Sequence, residues 1–215
     1  MARPTLNDDE RAKRRRQLLA AAHALFRATR ELPSVSQIAE SAGVAKGSVY
    51  NSFSTKEEIF VALLEDSFSG LLAQVVTTIA TLPRGAAAAA EAFAESYAGS
   101  VAQFPDLLAL AGMTNAVLEK NLPIEAMLHF KTGLAAGLQA AGASLEQGGR
   151  KFVRGDGADL LLHTWSLTLG LWQALDFPAA MRPHMKRPEL AIIDRDYMVE
   201  LRAAVLALWL GALMP

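Results

Sequence analysis

Apolar residues recur at helical spacing along most of the chain, and the clearest pattern lies between residues 34 and 58, SVSQIAESAGVAKGSVYNSFSTKEE. This stretch predicts two short helices joined by a glycine turn, with a third helix directly behind. Ser34 and Gln37 predict a capping box at the first helix, which ends at Gly43, a residue suited to the left-handed conformation of a helix stop.

The second helix of this stretch is predicted from about Ala45 to Ser52, and a second capping box, Ser54 with Glu57, is predicted to open the third helix. Small, turn and apolar residues stand at the positions that a helix-turn-helix requires. The second helix is predicted to expose Lys46, Gly47, Ser48, Tyr50 and Asn51.

This exposed set contains no acidic residue, and a helix of about 12 Å fits a DNA major groove. We therefore expect DNA binding; the alternative is a helical hairpin inside a larger bundle. The lysine is expected to meet phosphate, the tyrosine a phosphate or thymine methyl group, and the asparagine a base edge. Ser36 and Lys56 are expected to donate to backbone phosphates.

Another helix is predicted N-terminal to the helix-turn-helix, from Asp8 or Asp9 to Arg30. It carries a basic run before its apolar face: Arg11, Lys13, Arg14, Arg15 and Arg16. Two interpretations stay open for this run. It is either a solvated helix face or a set of phosphate contacts that adds salt-dependent affinity.

The chain is expected to comprise a DNA-binding head at 8–55, with its motif at 35–54, and a helical body at 56–215 that begins with a connecting helix at 56–81. Glycine and proline positions divide the body into further helices, predicted at 85–103, 106–120, 123–141, 159–176 and 194–213. The sequence GDG at 155–157 lacks the neighbours of a phosphate or metal loop, so we expect a turn in which Asp156 caps the next helix.

The helix predicted at 159–176 has an apolar face and a narrow polar stripe of Asp159, His163, Ser166, Gly170 and Gln173. The last helix ends almost wholly apolar. Two such helices exceed what one subunit can cover, and a buried polar stripe needs polar partners, so we expect a homodimer.

Composition narrows the class of protein. The 215 residues include no cysteine, which excludes disulfides and thiolate chemistry, and 52% hydrophobic residues suit an all-α fold. Residues 11–56 contain nine basic and two acidic residues, a balance of +7, whereas residues 59–215 contain eleven and fifteen, a balance of −4. A basic head on an acidic body is typical of a DNA-binding protein.

The N-terminus lacks an apolar signal segment and the run 160–175 is too short for a membrane span, so we expect a cytoplasmic protein with no membrane partner.

The motif resembles that of the TetR family of bacterial transcriptional regulators, whose pattern is close to I-A-x-x-A-G-V-S-x-G-T-x-Y-x-Y/H-F-x-x-K-E-x-L. The match covers about residues 11–71 and includes Ile38-Ala39, Ala42-Gly43-Val44, Lys46-Gly47-Ser48-Val49-Tyr50, Phe53, Lys56-Glu57 and Ile59. Ala45 stands where the family usually has a capping serine, at a cost of about 1 kcal/mol, and Ser52 replaces an aromatic residue or histidine. The resemblance implies a helical body whose last two helices form the dimer as a four-helix bundle.

No catalytic, metal-binding or cofactor motif accompanies this pattern. The four histidines lack metal spacing, and Asp159, His163 and Ser166 on one helix face cannot easily align as a triad, so we expect neither an enzyme, nor a metal site, nor a cofactor.

The polar groups of the body instead suggest a mostly apolar ligand pocket. Its candidate residues are Phe104, Met113, Asn115, Glu119, Met127, His129, His163, Trp165, Ser166 and Trp172. Each of these residues is also compatible with a purely structural role.

These observations predict a homodimeric regulator, a repressor that binds a palindromic operator in double-stranded DNA and is released by a small, mostly hydrophobic effector. Two alternatives remain open. One is a helical ligand-binding protein with a degenerate DNA head, which the departures at residues 45 and 52 permit. The other is an activator or DNA-organising protein that needs no effector.

Overall fold

The computed structural model describes residues 8–114, 119–148 and 152–214, and within these ranges the protein is helical with no strand. The prediction of an all-α fold is confirmed. The α-helices are α1 Asp8–Thr29, α2 Val35–Ser41, α3 Lys46–Val49, α4 Lys56–Thr81, α5 Ala86–Ala102, α6 Leu107–Met113, α7 Ile124–Gln147, α8 Asp156–Leu175 and α9 Tyr197–Leu213. Short 3-10 helices cover Glu119–Asn121, Arg182–His184 and Pro188–Leu190.

The chain divides into two compact units. The first comprises Met1–Ser67 with Ala109–Lys131, and the second comprises Phe68–Leu108 with Thr132–Pro215. The division between head and body at residue 55 rests on the motif and stays a prediction.

The first unit is built on large apolar side chains of α1 to α4. The rings of Phe26 and Phe60, both fully buried, lie 6.1 Å apart in a tilted arrangement. Other side chains in this core are no more than 3% exposed: Leu18, Ile38, Val49, Phe53 and Ile59. Their burial accompanies the packing of α2 against α1 and of α3 against α2, and it leaves the polar faces of both short helices in solvent.

The turn between α2 and α3 has the predicted geometry. Gln37 N donates to Ser34 Oγ at 3.3 Å and Ser34 N donates to Gln37 Oε1 at 2.8 Å, so the predicted capping box is confirmed. Gly43 has a φ of 65°, a conformation that side chains with a Cβ rarely adopt. The N–H of Val44 closes the turn by donating to Ala39 O at 2.9 Å.

Helix α3 is shorter than predicted. It ends at Val49, whose carbonyl oxygen accepts from both Ser52 N at 2.9 Å and Phe53 N at 3.0 Å. Because one carbonyl receives both donors, the chain leaves the helix at this turn and carries Phe53 into the core.

The side-chain cap of α4 lies one residue later than predicted, so the Ser54–Glu57 capping box is wrong. The Thr55 hydroxyl accepts from Glu58 N at 3.2 Å, and the Glu58 carboxylate accepts from Ser54 N at 2.7 Å. Glu57 points into the protein and is 7% exposed, which leaves its neighbour to cap the helix.

The second unit is organised around α9, which packs against α5 and α8. Leu201, Val205 and Trp209 recur every fourth residue and are fully buried. The ring of Phe93 on α5 stacks on Trp209 at 3.5 Å between centroids and on Tyr97 at 5.4 Å. This aromatic stack joins the last helix to α5.

Helices α7 and α8 cross at two glycines. A Cβ added to Gly157 would lie 2.2 Å from the carbonyl oxygen of Gly142, so only glycine permits this approach. The Glu146 carboxylate of α7 accepts from Gly155 N at 2.8 Å and from Gly157 N at 3.2 Å, where the dipole of α8 favours a negative charge. The expectation that Asp156 caps α8 is wrong, because its carboxylate instead accepts from Val153 N at 2.9 Å.

Several helix ends differ from the sequence prediction. Helix α7 continues to Gln147, beyond the predicted end at residue 141, and α8 begins at Asp156, before the predicted start at residue 159. The glycines at the crossing of α7 and α8 stay within the helices because close packing and the Glu146 carboxylate stabilise them there. Helix α9 begins at Tyr197, after Asp196 accepts a capping hydrogen bond from Val199 N at 2.9 Å. Helix α6 is described from Leu107 to Met113, and the rest of its predicted range up to residue 120 lies partly outside the described residues.

Helix α4 is the one helix, among those described, with the length and composition of a membrane span. Half of its most apolar window is buried inside the protein, as expected for a core helix.

Candidate nucleic-acid interface and ligand site

The residues predicted to contact DNA lie mostly on the surface of the first unit. Tyr50 is 53% exposed, so its ring and hydroxyl group are open to an external partner. Ser48 is half-buried, and the remaining residues around α2 and α3 are exposed: Ser36, Lys46, Gly47 and Asn51. We call the surface formed by residues 46–51 the recognition face.

The start of α3 lacks a side-chain cap. Ala45 has the extended backbone of an N-cap residue, with φ −67° and ψ 141°, but it makes no capping hydrogen bond through its side chain. Within the first turn, Ser48 N donates to Ala45 O at 2.8 Å, and no side chain caps the N–H groups that precede it.

Lys56 has a second charge beside it. Its Nζ lies 4.0 Å from Glu57 Oε1, and its side chain is 40% exposed. Part of its charge is compensated within the protein, whereas Lys46 stands exposed at the start of α3. The exposed lysine is therefore the stronger candidate for a phosphate contact.

The second unit encloses a small apolar cavity of about 10 Å³. Its lining residues are Phe68, Leu71, Leu72, Val75, Tyr97, Leu138, Leu161, Thr164 and Trp165. The edge of the Trp165 ring meets Phe68 at 5.0 Å between centroids. A space of this size holds about one water molecule.

A buried hydrogen-bonded chain borders this cavity. Tyr97 Oη and Thr168 Oγ1 lie 2.9 Å apart, and Trp209 Nε1 donates to Thr164 Oγ1 at 3.0 Å. The Tyr197 hydroxyl donates to Thr168 O at 3.2 Å. Burial raises the pKa of both tyrosines far above the usual range, so they remain neutral hydrogen-bonding groups.

The predicted ligand-binding residues are divided between the two compact units. Trp165 lines the cavity, while Phe104 and Trp172 are half-buried elsewhere in the second unit. Met113, Met127 and His129 belong to the first unit, and His129 is exposed. The side chains of Asn115 and Glu119 lie outside the described residues. The assignment of these residues to a ligand stays a prediction.

His163 and Ser166 are exposed, together with the rest of the predicted polar stripe on α8. Asp159 and His163 line an open groove of about 610 Å³ between α8 and α9. The α9 wall of this groove consists of small and apolar residues: Ala207, Leu208, Gly211 and Ala212. Among the described residues of one chain, nothing covers the groove between these two helices.

The sequence prediction missed the buried chain of hydroxyl groups. Thr164 and Thr168 stand four residues apart in an apolar helix, and this spacing was the available signal. The polar stripe that contains Asp159 and His163 was predicted instead, because these two residues are more polar than threonine. Within the described ranges, no group of three acidic or histidine side chains is arranged to hold a metal ion.

Comparison with solved structures supports this architecture. A protein from Shewanella sp. PV-4, described as a tetR family transcription regulator, aligns with a TM-score of 0.51 and 18% identity over 93% of this chain and 97% of that chain. PfmR, a TetR family transcriptional regulator from Thermus thermophilus, aligns with a TM-score of 0.53 and 21% identity over 90% of this chain and 97% of that chain. At these identities the likeness concerns the fold. No curated protein sequence matches this chain.

Two family profiles match the sequence itself. Residues 18–63 match the profile described as "Bacterial regulatory proteins, tetR family", and residues 65–215 match "Tetracyclin repressor-like, C-terminal domain". The first profile covers the helix-turn-helix, and the second covers the C-terminal domain of the family. Members of this family are transcription regulators rather than enzymes. The chain therefore belongs to the TetR family of DNA-binding transcriptional regulators.

Proposed function

We propose that the protein is a homodimeric, cytoplasmic repressor that binds a palindromic operator and leaves it when a small, mostly apolar effector binds the second unit. The observation that carries the proposal is the recognition face, which exposes Lys46, Tyr50 and Asn51 without an acidic residue. Its exposed tyrosine and lysine suit a phosphate-lined groove, and its asparagine suits a base edge.

Binding as a dimer follows from the uncovered faces of α8 and α9. Leu162 on α8 is 45% exposed and Val199 on α9 is 59% exposed, and the open groove lies between these helices. A second copy would cover both apolar faces and give polar partners to His163 and Asp159. Two recognition faces related by a two-fold axis require a palindromic operator.

Release by an effector is proposed as a population shift. The cavity of the second unit is apolar, and Tyr97 and Thr164 bring neutral hydroxyl groups to its wall. Such a wall suits an uncharged molecule with one polar group. Effector binding would favour a state of the dimer in which the two heads no longer fit successive major grooves.

A gel-shift titration against the DNA upstream of the gene, at two salt concentrations and with competitor DNA, tests DNA binding. We expect saturable binding that survives competitor in the wild type and is lost in the double variant Lys46→Ala, Tyr50→Ala. Arg84→Ala removes an exposed positive charge from the second unit and serves as the matched control. Equal binding by the double variant would show that the recognition face is wrongly assigned.

An effector-independent regulator is the second candidate, and the size of the cavity favours it, because about 10 Å³ admits no organic molecule without rearrangement. Thermal unfolding in a broad library of apolar compounds separates the two. A compound that raises Tm and also releases DNA supports the repressor. A library without any stabilising compound, together with intact DNA binding, supports the second candidate.

A further inference from the structure

Arg15 stands in the basic run of α1, but its guanidinium group is directed at an aromatic ring of the protein. The Cζ atom lies 4.3 Å from the centroid of the Phe53 ring, within the range of a cation–π contact. The ring is 3% exposed and belongs to the core, so it offers the guanidinium a fixed surface.

Phe53 in turn is tied to the recognition face. Its N–H donates to the Val49 carbonyl at 3.0 Å, and Val49 is the last residue of α3. Tyr50 and Asn51 lie between these two residues in the chain, so the position of the ring limits where both side chains can stand. A shift of Phe53 would move the turn that presents them.

A half-buried carboxylate on α4 also interacts with Arg15. Burial raises the pKa of Glu65, Asp66 adds to the rise, and the positive charges of His129 and Arg15 oppose it. Arg15 belongs to α1, Glu65 to α4 and His129 to α7, and all three lie in the first unit. The arginine thus interacts with an aromatic ring behind α3 and with a carboxylate on α4.

We propose that Arg15 is a positioning residue for the recognition face: it binds the ring of Phe53 instead of serving as one more phosphate contact of the basic run. This inference rests on the proposed DNA-binding function. Arg15 and its neighbour Arg16 are both exposed, and the contact with the Phe53 ring is what separates them. The phosphate interpretation of the basic run is retained for Arg16.

The salt dependence of DNA binding distinguishes the two roles. A lost phosphate contact lowers the slope of log K against log salt by about 0.9 for each contact, or roughly 1.8 for a dimer. A displaced recognition face weakens DNA binding by a similar factor at every salt concentration, so the slope of log K against log salt stays nearly unchanged. The probe is a DNA duplex selected from random sequence by the full-length wild-type protein.

We expect Arg15→Gln to bind this duplex about 5- to 30-fold more weakly with the slope nearly unchanged. The matched control Arg16→Gln should lower the slope. Arg15→Lys keeps a cation over the ring and should recover part of the affinity. An Arg15→Gln slope that falls as far as that of Arg16→Gln, or an unchanged affinity, would overturn the proposal.

A double-mutant cycle measures the coupling between Arg15 and Phe53 in DNA affinity. Two residues with independent structural roles would show no such coupling. Phe53→Leu removes the ring face but keeps an apolar side chain, and its effect on affinity should be largely absent in the Arg15→Gln background. Additive losses would contradict the proposed contact. Tm is measured for each variant, and binding is compared well below the lowest Tm.

Failure of the inference remains distinct from failure of the proposed function. If the wild type selects no sequence from the random pool, specific DNA binding itself is refuted. If the wild type binds its selected duplex and only the Arg15 results differ from expectation, the repressor proposal stands and the positioning role is lost.

Discussion

The indole N–H of Trp209 donates a 3.0 Å hydrogen bond to the hydroxyl group of Thr164, and neither residue is more than 1% exposed. The same hydroxyl donates to Leu160 O at 2.7 Å. This one side chain therefore satisfies a buried donor on α9 while remaining bonded to its own helix, and it fixes the register of α9 against α8.

Replacing Thr164 by valine should destabilise the second unit by about 1–3 kcal/mol, because the Trp209 N–H would lose its buried acceptor. Thr164→Ser keeps the hydroxyl group and should lose less stability. Ser166→Ala, on the exposed face of the same helix, is the control. Urea unfolding followed by tryptophan fluorescence measures the difference, and a valine variant as stable as the wild type would contradict the role assigned to this bond.

Gly157→Ala should be among the most destabilising single changes, by about 1–3 kcal/mol or more, because its Cβ would meet backbone atoms of Gly142 that cannot move aside. Gly133→Ala is the matched control on α7, since a Cβ there meets nothing within 4 Å. The control should gain about 0.5–1 kcal/mol from reduced backbone entropy. Opposite shifts in Tm confirm the prediction, and equal shifts refute it.

Ala45→Ser should stabilise the first unit by about 0.5–2 kcal/mol, because the backbone already has N-cap geometry and only the side-chain acceptor is missing. The control Ala88→Ser places the same residue on an exposed face inside α5, where serine is mildly unfavourable. Thermal unfolding by circular dichroism compares the two variants. A lower Tm for Ala45→Ser would contradict the view that α3 lacks only a side-chain cap.

Glu65→Gln should raise Tm at neutral pH. Burial is the largest influence on this carboxyl group and raises its folded-state pKa above the usual 4.5. The stability that the protonated group contributes is present below the unfolded pKa and is lost as pH rises through the folded pKa. The advantage of the glutamine variant should therefore grow over that window and be smallest below pH 4.5.

Glu125→Gln, an exposed change in the same unit, is the control for this pH series. If the stability difference between Glu65→Gln and the wild type were independent of pH, the raised pKa would be wrong. A stabilised variant with weakened DNA binding would show that the charge is retained for function at a cost in stability.

The helix-turn-helix was largely predictable because its determinants are local. The Ser34–Gln37 box, the glycine turn and the apolar positions that pack α2 on α3 act within a few residues of one another. The fold class likewise followed from helical periodicity throughout the chain. Errors at this level were shifts of a single turn or cap, as at Thr55 and Glu58.

Features that depend on distant residues were not predictable. Glu146 caps α8 from another helix, so nothing near Asp156 revealed which carboxylate would do it. The contact of Arg15 with Phe53 joins residues that lie far apart in the chain, and composition alone assigned that arginine to a basic run. The cavity lining draws on α4, α5, α7 and α8, whose mutual packing is a property of the folded unit.

The cavity of about 10 Å³ in the second unit also bears on how sensitively the proposed repressor responds. If the proposed inducer enters this cavity, a molecule larger than water can bind only a rearranged, less populated form, so its apparent dissociation constant rises in proportion to the rarity of that form. The apolar side chains that close the space, Leu138 among them, would then set the threshold concentration for induction. Shortening Leu138 would let the same compound act at a lower dose without adding a single contact to it.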